Sequence, residues 1–347
     1  MGNAKNTYRF QLEKEPASHV KPGGTTREAS AKQFPISQGI AGVSMRLAPG
    51  GMRELHWHAN AGEWGFVVTG SVRNTCLHPD GSSYIDTFGP GDVWYFPRGF
   101  GHSIQCVGPG ESHFILIFDN GYFSEDHTFS ITDWLSHTPV PIAAQSLGVS
   151  PDVIARMPKG EAYFAGPGPI PNDLSPYSTP RHDPTLLTTH RYPLMSQQPR
   201  RTPGGGTQRT VGVEEFPIST TMAGSVLEIE PGGMRELHWH PNADEWQYYL
   251  EGTAEMAVFL AEGEVVMNEY EKGDVGYAPM GTGHYIKNTG KDLLKVLVGF
   301  NNGHYQANDL SAWISTNPFD VLSTNLNIPF EDARKLPKHE HFFVPGR

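Results

Sequence analysis

Short apolar runs, four or five residues long and separated by turn-forming residues, recur along the chain. In the first half they are Gly65-Phe66-Val67-Val68, Val93-Trp94-Tyr95-Phe96 and His113-Phe114-Ile115-Leu116-Ile117. In the second they are Gln247-Tyr248-Tyr249-Leu250 and Leu294-Lys295-Val296-Leu297-Val298. Runs of this length and composition predict strands, and their close spacing predicts a sandwich or jelly roll. Helical signal is confined to one spot after each group of runs, around Ile131-Thr132-Asp133-Trp134-Leu135 and around Leu310-Ser311-Ala312-Trp313-Ile314. With 39 glycines and 29 prolines in 347 residues, turns dominate, and the reading is all-β with a few short helices.

The two groups of runs are copies. Shifting the sequence by 182 brings Phe34-Pro35-Ile36-Ser37 onto Phe216-Pro217-Ile218-Ser219 and Gly91-Asp92-Val93 onto Gly273-Asp274-Val275. The offset holds from Phe34 to Phe118, which meets Phe300, so two homologous domains stand in tandem. The expected boundaries are an N-terminal arm over 1–32, a first domain over 33–154, a connector over 155–205, a second domain over 206–325 and a C-terminal tail over 326–347. The connector is punctuated by Pro and Gly without an apolar period.

A formal net charge of −11 argues against a nucleic-acid surface. Two cysteines, Cys76 and Cys106, are too few for a disulfide framework. The first residues carry no apolar leader segment, and Met1-Gly2-Asn3 lacks the downstream Ser or Thr of a myristoylation signal, Asn6 standing there. No segment has the ~18 to 20 apolar residues of a membrane span. The expectation is a soluble, cytoplasmic protein.

The chemistry sits in the repeated stretch RELHWHANAGEW, residues 53–64, whose copy RELHWHPNADEW covers 235–246. His56 and His58 are two apart, which on a strand puts both rings on one face. Glu63 follows a turn, and His102 follows a sharp bend, so three imidazoles and a carboxylate can converge. His238, His240, Glu245 and His284 repeat the set at the same spacing. An all N/O site with open positions suits a divalent transition ion, Mn or Fe before a closed structural zinc. Trp57 and Trp239, between the paired histidines, point away from the metal side. Arg53 and Arg235 sit three residues before the first histidine, and simple alternation turns them to the opposite face unless the strand is bulged.

These motifs are recognisable. Gly50, His56, His58, Glu63 and Gly70 at their spacing resemble the first cupin motif, and Gly91, Pro97, Gly99 and His102 the second. The second half repeats both, with Gly232, His238, His240, Glu245 and Gly252, then Gly273, Pro279, Gly281, His284 and Asn288. Arg-Glu-Leu-His-Trp-His followed by Glu-Trp in both halves resembles the bicupin oxalate decarboxylases, and Trp94-Tyr95-Phe96-Pro97 and Thr132-Asp133-Trp134-Leu135 agree. The resemblance runs from about residue 7 to 340, with Cys106 departing where the motif usually has Asn. It implies two jelly-roll barrels, Mn(II) in each, dioxygen as cofactor, oxalate as substrate, and Arg53 and Arg235 as substrate contacts. It also implies a trimer or hexamer.

The halves differ at one place. Trp134 matches Trp313 at an offset of 179, so the first half has three extra residues within the loop 119–129. In the family this loop is a mobile lid, Ser-Glu-Asn-Ser-Thr, whose Glu donates the proton that makes formate. Here Ser124, Glu125 and Thr128 match, and Asp126 and His127 replace the central pair. The shorter loop 301–309 has no Glu, and Val298 stands where relatives often carry one in the second barrel. The expectation is that barrel one decarboxylates, with Glu125 as the acid and His127 relaying a proton, lowering the Glu125 pKa by its charge or facing solvent. An oxalate oxidase making peroxide is the nearest alternative. A non-enzymatic storage or binding bicupin and another metal-dependent cupin enzyme are further ones.

Overall fold

The computed structural model describes residues 7–346; the first residues, including Met1-Gly2-Asn3, lie outside them. Each predicted run is the heart of a strand: Glu63–Thr69, Val93–Phe96, Ser112–Phe118, Glu245–Glu251 and Leu294–Phe300. Helices are short and follow each barrel, beginning with Ile131–His137 and Leu310–Ser315 at the two expected places. None among the described residues is long and apolar enough to cross a membrane.

Four antiparallel sheets make two barrels. In the first barrel a seven-stranded sheet has Ala41–Leu47, Ser112–Phe118, Glu63–Thr69 and Val93–Phe96 at its centre. It faces a six-stranded sheet built on Met52–Trp57, Gly101–Cys106, Val72–Leu77 and Ser83–Phe88. The second barrel repeats this with Ala223–Ile229, Leu294–Phe300, Glu245–Glu251 and Val275–Ala278 facing Met234–Trp239, Gly283–Asn288, Thr253–Phe259 and Val265–Glu271.

The segments read as arm, connector and tail are laddered into these sheets. Gly24–Ala29 pairs with Ala41–Leu47, Phe164–Ala165 with Met52–Trp57, Arg200–Thr202 with Gly206–Val211, and Phe343–Val344 with Met234–Trp239. They are two to six residues long, too short for a period to register in the sequence. The repeat also begins earlier than Phe34, because Tyr8-Arg9-Phe10 matches His190-Arg191-Tyr192 at the same offset. The two copies are exchanged: Arg9–Phe10 pairs with Val275–Ala278 of the second barrel, and Arg191–Tyr192 with Val93–Phe96 of the first. Arg9 meets Asp274 at 2.7 Å and Arg191 meets Asp92 at 2.8 Å, so each exchanged segment is pinned by the same ion pair.

The barrels share a core. Trp64 and Trp246, equivalent positions, are both buried and each rests on a glycine of the opposite barrel. A β-carbon on Gly42 would lie 2.0 Å from the Trp246 ring, and one on Gly224 would lie 2.4 Å from that of Trp64. Only a bare backbone admits the indoles there. Overpacking a filled core costs about 1–3 kcal/mol. Gly224→Val is therefore expected to lower stability by at least that amount, read from the denaturant midpoint; an unchanged midpoint would refute this close packing.

Candidate metal centres

A β-bulge decides what faces the barrel interior. On the ladder between Met52–Trp57 and Gly101–Cys106, His56 lies opposite His102 and Arg53 opposite Ile104. Three steps on one strand match two on the other, so one extra residue sits between Arg53 and His56. The bulge reverses the alternation that would have turned Arg53 outward: Arg53, His56 and His58 are buried while Leu55 is exposed. The second barrel repeats it, with His238 opposite His284 and Arg235 opposite Ile286.

The four sequence-predicted ligands of each barrel converge. His56, His58, Glu63 and His102 are buried and bring one donor atom each within 4.8 Å of one another, as do His238, His240, Glu245 and His284. Both sheets contribute, since Glu63 begins a strand of the larger sheet. The rings are oriented by their second nitrogens. His56 Nδ1 faces the Glu54 carbonyl at 2.6 Å and His102 Nδ1 the Phe100 carbonyl at 2.8 Å, which leaves each Nε2 for an ion. Trp94 Nε1 donates to Glu63 Oε1 at 2.8 Å, while Oε2 lies 3.1 Å from His58 Nε2 and 3.3 Å from His102 Nε2. Burial drives His56 well below the ordinary imidazole range and His58 down to about 4. Burial works to raise the Glu63 carboxyl, but His102 and His58 outweigh it and hold Glu63 well below the usual carboxylate range. Neutral imidazoles and an ionised carboxylate are the ligand forms, so the donor set fits a divalent N/O-loving cation.

Over the first cluster lies the loop 119–129. The Ser124 hydroxyl caps the single turn Glu125–His127, accepting from the Asp126 amide at 3.3 Å. That turn carries the Glu125 side chain inward to full burial. Its Oε2 accepts from Arg53 Nη2 at 3.1 Å, and the same nitrogen donates to Thr128 Oγ1 at 2.9 Å. Arg53 Nη1 reaches the Tyr163 carbonyl at 3.3 Å, and the guanidinium lies 3.8 Å over the Tyr163 ring. Burial pushes the Glu125 carboxyl up to about 7, with Arg53 opposing and Glu28 and Glu63 adding to the rise. The two substituted loop positions, Asp126 and His127, are exposed. The matching residues Ser124, Glu125 and Thr128 do the capping and clamping.

Barrel two is built differently. Arg235 Nη2 donates to Asp309 Oδ1 at 2.6 Å and Nη1 to the Phe342 carbonyl at 3.0 Å, with Phe342 under the guanidinium as Tyr163 is in barrel one. The second barrel has no glutamate in its shorter loop, yet an aspartate stands beside its arginine. Burial raises Asp309 to about 6 against the pull of Arg235. Asp309 stands on the short strand Asn308–Asp309, opposite His238, where barrel one has Ser130 opposite His56. Asp309 is thus fixed by a ladder, while Glu125 sits on a one-turn loop. Tyr163 and Phe342 escaped the sequence reading. Both hold positive φ, 58° and 65°, a conformation with no signature in a non-glycine residue.

The paired tryptophans point away from the clusters as expected. Trp57 stacks on Phe129 with ring centroids 5.3 Å apart, and Trp239 meets Trp313 at 5.6 Å. Cys106 fills the place of Asn288 with a weaker version of its contacts: Sγ reaches the Gly110 carbonyl at 3.2 Å, where Asn288 Nδ2 donates to the Asp292 carbonyl at 2.9 Å.

Two facing-sheet barrels, each with three histidines and a glutamate gathered in its interior, define a two-domain cupin. The chain matches the cupin family over residues 10–155 and 193–333. It is 40% identical to oxalate decarboxylase OxdC of Bacillus subtilis (strain 168), over 93% of this chain and 83% of that protein. It is 34% identical to a probable oxalate decarboxylase of Arthroderma benhamiae, over 93% of this chain and 79% of that one. A solved structure of the Bacillus subtilis oxalate decarboxylase, studied for the EPR fine structure of its Mn(II) centers, aligns with a TM-score of 0.91 at 37% identity, covering 98% of this chain and 89% of that one. The chain belongs to the bicupin oxalate decarboxylase family.

Proposed function

We propose that the protein is a manganese- and dioxygen-dependent oxalate decarboxylase, converting oxalate and a proton to formate and carbon dioxide, with the chemistry in the first barrel. The observation that carries this reading is the buried Glu125 held against Arg53 beside the first histidine–glutamate cluster. His56, His58, Glu63 and His102 would hold Mn(II) in barrel one, and His238, His240, Glu245 and His284 in barrel two. When bound, the ion together with dioxygen supplies the one-electron chemistry that weakens the carbon–carbon bond.

The chain's own residues supply the rest. Arg53 offers a planar fork to a carboxylate, and its Nε is buried without a protein partner. The loop carrying Ser124, Glu125, Asp126, His127 and Thr128 admits oxalate when open and excludes water when closed. Glu125, protonated near neutrality, delivers its proton to the carbon that carbon dioxide leaves, forming the C–H bond of formate. Without that proton, further oxidation gives a second carbon dioxide and peroxide, the outcome of an oxidase; the buried Glu125 favours the decarboxylase. Arg235 is paired with the strand-held Asp309 rather than with an acid on a loop, and barrel two supports rather than performs the reaction. The aromatic residues left exposed on equivalent helices, Trp134 and Trp313, suit burial in a trimer or hexamer.

The test is metal analysis combined with measurement of carbon dioxide, formate and peroxide from oxalate. About one formate per carbon dioxide with manganese bound supports the reading; stoichiometric peroxide overturns it. The pH dependence gives a second check. A carboxyl raised to about 7 is protonated below that pH and ionised above it, so proton delivery weakens as pH rises. The formate-to-peroxide ratio is expected to fall on the alkaline side of neutrality. A ratio that stays flat through that range would remove Glu125 from the proton-delivery step.

A further inference from the structure

A third group of metal-ligating side chains lies outside both histidine–glutamate centres. Cys76 ends the inward row of strand Val72–Leu77, and His78 follows two residues on. His190 comes from the exchanged segment, next to Arg191–Tyr192. All three are buried, at 2%, 3% and 0% exposure, and their ligand atoms lie within 4.8 Å of one another.

The hydrogen bonds around this trio leave a place for a cation. His190 Nδ1 faces the Tyr95 carbonyl at 2.6 Å and must donate to it. His78 Nδ1 faces Ser82 Oγ at 2.8 Å. The Ser82 hydroxyl is itself committed to the Asp80 carboxylate at 2.6 Å, so it accepts from His78. Each neutral ring then carries its hydrogen on Nδ1, and the two Nε2 lone pairs confront one another at 2.8 Å. Lone pairs at that distance repel unless something positive lies between or beside them. A carbonyl and a hydroxyl on the far nitrogens are also the partners that ligating imidazoles use to fix their orientation.

The internal symmetry of the chain gives an independent comparison. The positions equivalent to Cys76, His78 and His190 are Val258, Leu260 and Tyr8. In barrel two these pack into an ordinary apolar cluster. Barrel one carries metal-binding residue types at all three positions, two from one strand end and one from 112 residues away.

We propose that Cys76, His78 and His190 form a third metal site, taking a borderline-soft divalent cation of the zinc class through one sulfur and two imidazole nitrogens. Thiolate and imidazole select such an ion over Mn(II), which prefers the oxygen-containing centres. Three protein ligands leave a fourth position for water. The bound ion would clasp the second repeat's leading segment to the first barrel, adding to the Arg191–Asp92 pair.

The test uses the full chain with manganese already in its two histidine–glutamate centres, titrated with Co(II) and separately with Zn(II). The expected result is one further equivalent, three ions per chain in all, with Co(II) producing a thiolate-to-metal charge-transfer band in the near ultraviolet. The histidine–glutamate centres contain no sulfur and cannot give that band. Cys76→Ser, and His190→Tyr which copies barrel two, should each lose the band and the third equivalent while keeping two ions. A wild-type chain that stops at two ions and shows no such band overturns the proposal without reference to any variant. So does a third ion that Cys76→Ser binds equally well, or a strongly deshielded proton shared by the two Nε2 atoms in metal-saturated protein.

Discussion

Glu125→Gln is expected to cut formate production by about two to four orders of magnitude, the usual worth of a positioned general acid. Oxalate consumed by the variant should appear increasingly as carbon dioxide and peroxide. Glutamine keeps the shape of the side chain, and its carbonyl oxygen can still accept from Arg53 Nη2, the contact that glutamate makes at 3.1 Å. It has no proton to give. The manganese content should be unchanged, because Glu125 is not among the four residues that converge in the first cluster. Asp309→Asn is the matched control in barrel two. It too preserves a hydrogen-bond acceptor for its arginine, and it should leave the formate yield largely intact. Wild-type formate output from Glu125→Gln, or collapse of formate in Asp309→Asn alone, would place the acid in the other barrel.

The ligand sets were legible because they occur twice at one offset, and coincidence does not repeat a four-residue pattern. The strands that carry them were legible for a related reason: each is built on a short apolar run bounded by turns. What stayed hidden is instructive. Arg53 looked outward-facing by alternation, and no residue type announces the bulge that turns it in. Asp309 lies in the segment 301–309, but its residue type does not announce that a short strand brings it to Arg235. Tyr163 and Phe342 reach the arginines through positive φ from a stretch with no regular period. The exchanged segments, two residues each, are too short to register as strands, though the matching Arg9 and Arg191 lay in plain view at the same offset. Cys76-x-His78 is a spacing like His56-x-His58, but its third member arrives from the connector, and only folding brings it there.

Arg53 is the residue on which the site's electrostatics and its substrate geometry meet, and two substitutions separate those roles. Arg53→Lys keeps a positive charge but loses the planar fork and the stacking over Tyr163. An ammonium cannot hold the Tyr163 carbonyl, Glu125 and Thr128 in the directions the guanidinium does. Losing one or two hydrogen bonds to charged groups, at about 1.5–3 kcal/mol each, should lower kcat/KM by roughly ten- to a thousandfold or more. Arg53→Gln removes the charge as well. Breaking a buried pair by deleting one partner costs about 3–5 kcal/mol, and the surviving carboxyl escapes part of that cost by remaining protonated. Arg53 holds the Glu125 carboxyl down against burial, so its removal pushes that carboxyl further above 7. The alkaline fall in the formate-to-peroxide ratio should then move to higher pH in Arg53→Gln and move much less in Arg53→Lys. Ratios measured against pH for the three proteins decide the matter. An alkaline limb that stays in place when the charge is deleted would mean that Arg53 and Glu125 are not in contact during turnover, and that the closed arrangement at 3.1 Å belongs to a resting state outside the catalytic cycle.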